Sequence, residues 1–220
     1  MYEIGEGMKE VFRDYYDNKI KLEKWQIVSL VCLIIAISGF FGFVYEYIFY
    51  FFNNGMEKFY WRGGNFLPWI NIYAIGSMII LLTTWKLRKS PLKVFLLSVF
   101  TTGVLEYFSG LAIYKIGNGL RYWDYNTEIL NFGNIQGFIC FRSVTFFGLS
   151  ALMLMYLIVP FCIFLITKIN KKIILPISVI ICALFVTDEL YNEFISKIIH
   201  TPNAIQIYSE HGFNFMPINK

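Results

Sequence analysis

Residues 27–52 read IVSLVCLIIAISGFFGFVYEYIFYFF, a run that starts just after Lys24-Trp25 and contains one charged side chain, Glu46. About 20 mostly apolar residues in a helix cross the hydrocarbon core of a bilayer. A stretch that is apolar on every side has no solvent face to offer in a domain of this size. In lipid its backbone polar groups are satisfied within the segment only if it is helical. The stretch therefore places the chain among all-α membrane proteins.

Four further runs follow the same reading, at 67–85, 92–115, 144–167 and 173–198, bounded by Pro68, Ser90-Pro91, Arg142 and Lys171-Lys172. Asn71 interrupts the second and Asp188-Glu189 the fifth. The expected fold is a polytopic helical membrane bundle of about five transmembrane helices. It carries an amino-terminal amphipathic segment and two ordered extracytoplasmic loops. Composition agrees: 57% of the 220 residues are hydrophobic, 20% aromatic and 15% charged, against roughly 45–50% apolar and 25% charged in soluble domains. No polar linker divides the runs, so 26–198 reads as one transmembrane domain, preceded by a cytoplasmic amphipathic segment, 1–25, and followed by a polar carboxyl-terminal tail, 199–220.

In the first segment Met8, Val11, Phe12, Tyr15 and Ile20 alternate with acids and bases at a spacing that suits a helix on the membrane surface. The run after it is too long for a signal-peptide core and has no A-x-A-like cleavage site, so it is expected to stay as a signal anchor. Lys and Arg accumulate on the cytoplasmic side of short loops. Lys9, Arg13, Lys19, Lys21, Lys24, Lys86, Arg88, Lys89, Lys93, Lys168, Lys171 and Lys172 fall on one side. Lys58, Arg62, Lys115, Arg121, Arg142, Lys197 and Lys220 fall on the other, spread over longer connections. This distribution places the amino terminus in the cytoplasm and accounts for the net charge of +4 without a basic face for nucleic acid.

Several chemistries are excluded or unsupported. Cys32, Cys140, Cys162 and Cys182 have no C-x-x-C spacing and read as small buried residues. His200 and His211 lie in the tail and form no H-E-x-x-H, and no phosphate-binding G-x-x-x-x-G-K-[ST] occurs, so any nucleotide hydrolysis belongs to another chain. The sequence implies no metal and no cofactor.

Charges inside the spans are the informative residues, because a carboxylate at bilayer depth costs on the order of 2.5–3.5 kcal/mol and is retained with a partner or a task. Glu46 lies in the outer half of the first span and Glu106 near the middle of the third. Gly39 and Gly42 share a face with Glu46, and Gly103 and Gly110 with Glu106, so both acids are expected to face the bundle interior where backbones approach closely. Val44-Tyr45-Glu46-Tyr47, Val104-Leu105-Glu106-Tyr107 and Val186-Thr187-Asp188 resemble one another. Arg62 and Arg121 each follow a glutamate by about fifteen residues, which suggests a parallel two-span repeat with the fifth span as a remnant.

Two outer connections carry more fixed polarity than an aromatic interfacial belt needs. The first is Tyr60-Trp61-Arg62-Gly63-Gly64-Asn65-Phe66-Leu67-Pro68. The second runs from Arg121-Tyr122-Trp123-Asp124-Tyr125 to Asn134-Ile135-Gln136-Gly137-Phe138-Ile139-Cys140-Phe141-Arg142. Both are expected to fold back into the bundle mouth, where Glu46, Arg62, Glu106, Trp123, Asp124, Asn134, Arg142 and Asp188 form a candidate polar cavity.

Glu46, Arg62-Gly63, Pro68, Tyr73, Glu106-Tyr107, Gly110, Trp123-Asp124-Tyr125 and Asn134-Ile135-Gln136-Gly137-Phe138-Ile139-Cys140, in that order, resemble a bacterial family described as putative ABC-transporter permeases of type IV. The resemblance covers roughly 30–165 and leaves out the fifth span and tail. It departs at Gln136-Gly137-Phe138, where the family usually has Asn-Gly-Arg, and in the added polarity of 62–66. It implies a membrane transport component with no substrate attached and a separate ATPase subunit, or other membrane proteins, as partners. The residues leave three classes open. One is a transport component using Glu46 and Glu106 as charge partners or proton carriers. Another is a membrane-embedded enzyme acting on a lipid or cell-envelope substrate through a carboxylate base and anion-holding arginines. The third is a structural or accessory subunit whose charges fix helix register. The short inner loops, about five to eight residues, leave only the amino-terminal segment for an ATPase to act on.

Overall fold

The computed structural model describes residues 2–53 and 61–213, and within them the regular structure is helical. Lys58, Tyr60 and Lys220, named above, lie outside these residues. In chain order the helices are α1 (Tyr2–Tyr16), α2 (Lys24–Asn53), α3 (Asn71–Leu87, its last turn a 3-10 turn), α4 (Pro91–Ile116), α5 (Phe141–Lys168), α6 (Lys171–Ile198) and α7 (Ala204–Glu210). α2, α4, α5 and α6 are long and apolar enough to cross a membrane, and α3 is a shorter apolar helix. All five expected spans are thus found as apolar helices in one bundle. α2 is its hub, packed against α3, α6 and the second half of α5, while α4 joins α3 to the first half of α5.

The ends of these helices follow from sequence. Pro91 opens α4 at a position where its missing N–H is not needed, and Gly117 ends it. Ser143 and Cys140 form a capping box at the start of α5, and Asn170 accepts from the Lys172 N–H at the start of α6. The second span differs from its sequence reading. The helix starts at Asn71 and not at 67, because Pro68 and the bonded N–H groups of Phe66, Leu67 and Ile70 hold 66–70 outside the helix.

α1 is a helix, as its spacing predicts, and its apolar face is covered by protein. Tyr15 is fully buried among Leu30, Ile34, Val94 and Met155, and α1 packs across the second half of α5. Arg88, in the turn between α3 and α4, is buried beneath it. Its Nε donates to the Tyr15 carbonyl at 2.6 Å, and its guanidinium lies 4.8 Å from the Tyr15 ring and 4.4 Å from that of Trp85. α5 contains a π-turn at Leu154–Ile158, just before Pro160. Pro160 has no N–H to offer the carbonyl four residues earlier, that of Tyr156, and the Tyr16 hydroxyl donates there at 2.6 Å. The Tyr156 hydroxyl in turn donates to the Arg88 carbonyl at 2.8 Å. A helix defect in α5 is thereby the attachment point for α1.

Tyr16→Phe should lower the stability of the detergent-solubilised protein by about 1 kcal/mol, the net value of one such hydrogen bond. The same substitution should cost less beside Pro160→Ala, which restores a backbone donor. Equal losses in the two backgrounds, read by thermal unfolding, would refute this attachment.

Candidate functional site

The end of the bundle opposite α1 holds the two long connections, and buried carboxylates organise both. Asp188, 7% exposed, accepts from the N–H groups of Phe66 at 3.0 Å and Leu67 at 2.8 Å, from Trp69 Nε1 at 3.1 Å and from Asn192 Nδ2 at 2.7 Å. Glu189 accepts from Asn65 Nδ2 at 2.7 Å and Asn71 Nδ2 at 3.0 Å. These bonds draw 61–70 onto α6, and the Ile70 N–H donates to the Gly39 carbonyl of α2 at 3.0 Å. Gly39 permits the approach, since a Cβ there would stand 2.5 Å from the Phe185 ring. α7 lies over this loop: the Tyr208 hydroxyl donates to the Phe66 carbonyl at 2.7 Å, and the Asn192 side chain accepts from the Ala204 N–H at 2.7 Å. Part of the expected polar tail is thus a docked helix.

The second connection closes as a hairpin. Ile135 and Ile139 form an isolated antiparallel bridge around Gln136 and Gly137, which both have left-handed backbone, φ 55° and 78°. Two consecutive positive φ angles are what a tight type I′ turn requires, and Asn-Gly is its preferred pair. The Gln136-Gly137 departure keeps the glycine and replaces the residue that best tolerates the first position. Arg121 Nη1 donates to the Gln136 carbonyl at 3.0 Å, and Trp123 Nε1 to that of Phe138 at 2.9 Å. Asn134 accepts from the Gly137 N–H at 2.8 Å and donates to Asn126 at 2.8 Å. Asp124 accepts from the Asn126 N–H at 3.0 Å. Phe138 is thereby pressed onto Gly110 of α4.

Between the two loops runs one chain of charged and hydroxylic groups. Glu46 pairs with Arg62 Nε at 2.8 Å, and the Arg62 guanidinium lies 4.0 Å from the centre of the Tyr50 ring. Burial works against the Arg62 charge, but the neighbouring Glu46 carboxylate more than offsets it and raises the arginine pKa. The Tyr50 hydroxyl donates to Glu128 Oε1, and Arg142 Nη2 donates to Glu128 Oε2, each at 2.5 Å. Arg142 sits between the rings of Phe49 and Tyr125, 4.3 and 5.3 Å from their centres. The Tyr125 hydroxyl donates to Glu106 Oε1, whose other oxygen accepts from Ser143 Oγ at 2.8 Å. Burial, and then the Glu106 charge, push the Tyr125 phenol well above the usual tyrosine range, so it stays a donor at any working pH.

Of the residues named from sequence, Glu46, Arg62, Glu106 and Arg142 fall in this chain of groups. Trp123, Asp124 and Asn134 instead hold the second loop in shape, and Asp188 holds the first. The proposed repeat is not carried through the side chains, because Arg121 meets Asp124 at 3.7 Å while Glu106 is bonded to Tyr125 and Ser143. Sequence reasoning missed Glu128, Tyr50, Tyr125 and Ser143. Glu128 sits in an uninterrupted loop string and is linked to Tyr50 across 78 positions, a distance no local pattern reports. Only its place between two arginine-bearing segments could have drawn attention to it.

An apolar helical bundle with carboxylates and largely covered arginines joined at one end defines a polytopic membrane protein with a polar cluster at that end. Residues 32–192 match the family described as Putative ABC-transporter type IV, and the chain belongs to that family. The match runs past the 30–165 read from motifs and takes in most of α6 with Asp188, Glu189 and Asn192. No curated protein and no solved structure matches the chain.

A Cβ on Gly110 would lie 2.8 Å from the Phe138 ring and 3.1 Å from Trp123. Gly110→Ala should therefore destabilise the protein by about 1–3 kcal/mol through overpacking and speed amide exchange across 134–139. Unchanged exchange there would show that the hairpin is not seated on Gly110.

Proposed function

We propose that the chain is the membrane-spanning component of a transport system and that the chain of groups from Glu46 to Ser143 is its working part, opening to the extracytoplasmic side. One observation carries this reading: the polar groups are not all used up by one another. Two guanidiniums are matched to Glu46 and Glu128, which leaves Glu106, 4% exposed, with hydroxyl partners alone. Arg142 keeps Nε and Nη1 buried without a hydrogen-bond partner among the described residues. Buried polar groups are nearly always paired; the hydroxyls of Tyr15, Ser29 and Ser98 also lack a partner among the described residues, but they are neutral, whereas the Arg142 donors are charged. Here unspent acceptor charge and unspent donors flank the same tyrosine, Tyr125. Glu106 is the proton-exchanging carboxyl in this reading, with Arg142 as the counter-charge that a passing anion or proton movement engages.

The other end suits a partner. The turns at 88–90 and 169–170 are too short to receive a moving subunit. The surface of α1 remains, with exposed Glu6, Lys9 and Glu10 and a groove against α2 and α5 lined by Gly7, Glu10, Asp14, Lys21, Gln26 and Lys168. An ATPase docking there places α1 in the cytoplasm, as the distribution of Lys and Arg does.

In vesicles loaded with a pH-sensitive dye, Glu106→Gln should abolish proton movement while the unfolding temperature stays within a few degrees, since the amide keeps an acceptor for Tyr125. Glu46→Gln should instead lower stability by removing the partner of buried Arg62. Equal loss of stability in both variants, with proton movement unchanged, would mean that the charges serve only to fix the helices. Native mass spectrometry of protein taken gently from its own membrane should show a stoichiometric ATPase that cross-links to Lys9 of α1. An ATPase cross-linked to the opposite end, or none at all, would overturn the assignment of partner and orientation.

A further inference from the structure

We infer that residues 129–135 form an apolar finger inserted into the interfacial layer of the leaflet at the loop end of the bundle. Ile129, Leu130, Phe132 and Ile135 are each at least half exposed, and the 13 positions from Ile129 to Phe141 contain no charged residue. A patch of this kind on a connecting loop marks an interaction surface, and two features identify lipid as its occupant. The patch is continuous with the lipid-facing surface of the bundle: the Phe132 ring rests 5.4 Å from that of Phe141, and the Phe132 carbonyl accepts from the Phe141 N–H at 3.1 Å. Phe141 is itself exposed and is the first residue of a membrane-crossing helix. The finger's polar side chains also turn away from this surface. Asn131 and Asn134 both bond to Asn126 in the body of the loop, leaving the apolar side chains outward.

Leu130 has left-handed backbone, φ 54°, a conformation that an aliphatic residue enters at a cost. Of the 129–134 backbone, the Phe132 carbonyl alone has a backbone hydrogen-bond partner among the described residues, so the finger's depth is the headgroup and upper acyl region and not the hydrocarbon centre. Glu128, next to Ile129, is bonded to Tyr50 and Arg142, so the finger's position in the leaflet is mechanically tied to the buried charges.

The test places the fluorophore NBD on Leu130→Cys, and separately on Phe132→Cys, in full-length protein whose partly exposed Cys32 and Cys182 are changed to Ala. The protein is reconstituted in phosphatidylcholine–phosphatidylglycerol vesicles, with Thr127→Cys, exposed and polar, as the aqueous reference. The expected result is blue-shifted emission at 130 and 132, quenched at least threefold more by lipid carrying a nitroxide at acyl carbon 5 than by aqueous iodide, and the reverse at 127. Iodide quenching at 130 and 132 equal to that at 127 would put the finger in water. Protection from both quenchers would put it against a second copy or another protein. Either result overturns the inference.

Discussion

A buried ionised or hydrogen-bonding group must find its partner within the protein, and in this chain that requirement shapes the whole loop end. Asp188 cannot be satisfied by neighbours along its own helix alone. It reaches the N–H groups of Phe66 and Leu67, and so holds the first connection against α6 and fixes where α3 can begin. Glu106 draws Tyr125 inward, Glu128 draws Tyr50 and Arg142 together, and the second connection becomes a lid closed by its own hairpin. The loops are ordered because the helices carry acids, and the acids are tolerable because the loops come back to meet them.

Much of the helical framework is legible in sequence because lipid imposes one rule at every position. Apolar runs longer than about 20 residues, Pro91 before α4 and Lys171-Lys172 before α6 all report local constraints. The start of α3 is not local: hydropathy extends the run back to Leu67, whereas a carboxylate on another helix takes that residue's N–H. The site divides the same way. Glu46 and Glu106 stand out as charges in apolar company, and Arg62 and Arg142 as cations beside them. Glu128 stands in a loop where a charge needs no explanation, and its importance appears only when Tyr50 and Arg142 are brought to it in space.

The two ends of the bundle differ in how their polar groups are used. At the α1 end Arg88 is taken up by the carbonyls of Tyr15 and Trp85 and the Tyr156 carbonyl left open by Pro160 is taken up by Tyr16, while the hydroxyls of Tyr15, Ser29 and Ser98, without a partner among the described residues, carry no charge. At the loop end Arg142 retains donors and Glu106 lacks a cation. An unpaired charged donor costs more than an unpaired hydroxyl, so the two ends are not equivalent. The proposed transport role draws on that difference in charge.

The proposed transport role needs something at this end to move, and the connectivity there limits what that is. Arg62 is held through Glu46 on α2, and the first connection is clamped to α6 by two acids, so that side of the site is stiff. Arg142 is held by a single carboxylate, Glu128, which is followed by the exposed apolar side chains of Ile129, Leu130, Phe132 and Ile135. Displacing that loop would separate Glu128 from Arg142 without disturbing the clamp at Asp188. In the proposed role the element to shift would therefore be the second connection, and the charge such a shift would uncover is Arg142, beside the carboxyl that lacks a cation of its own.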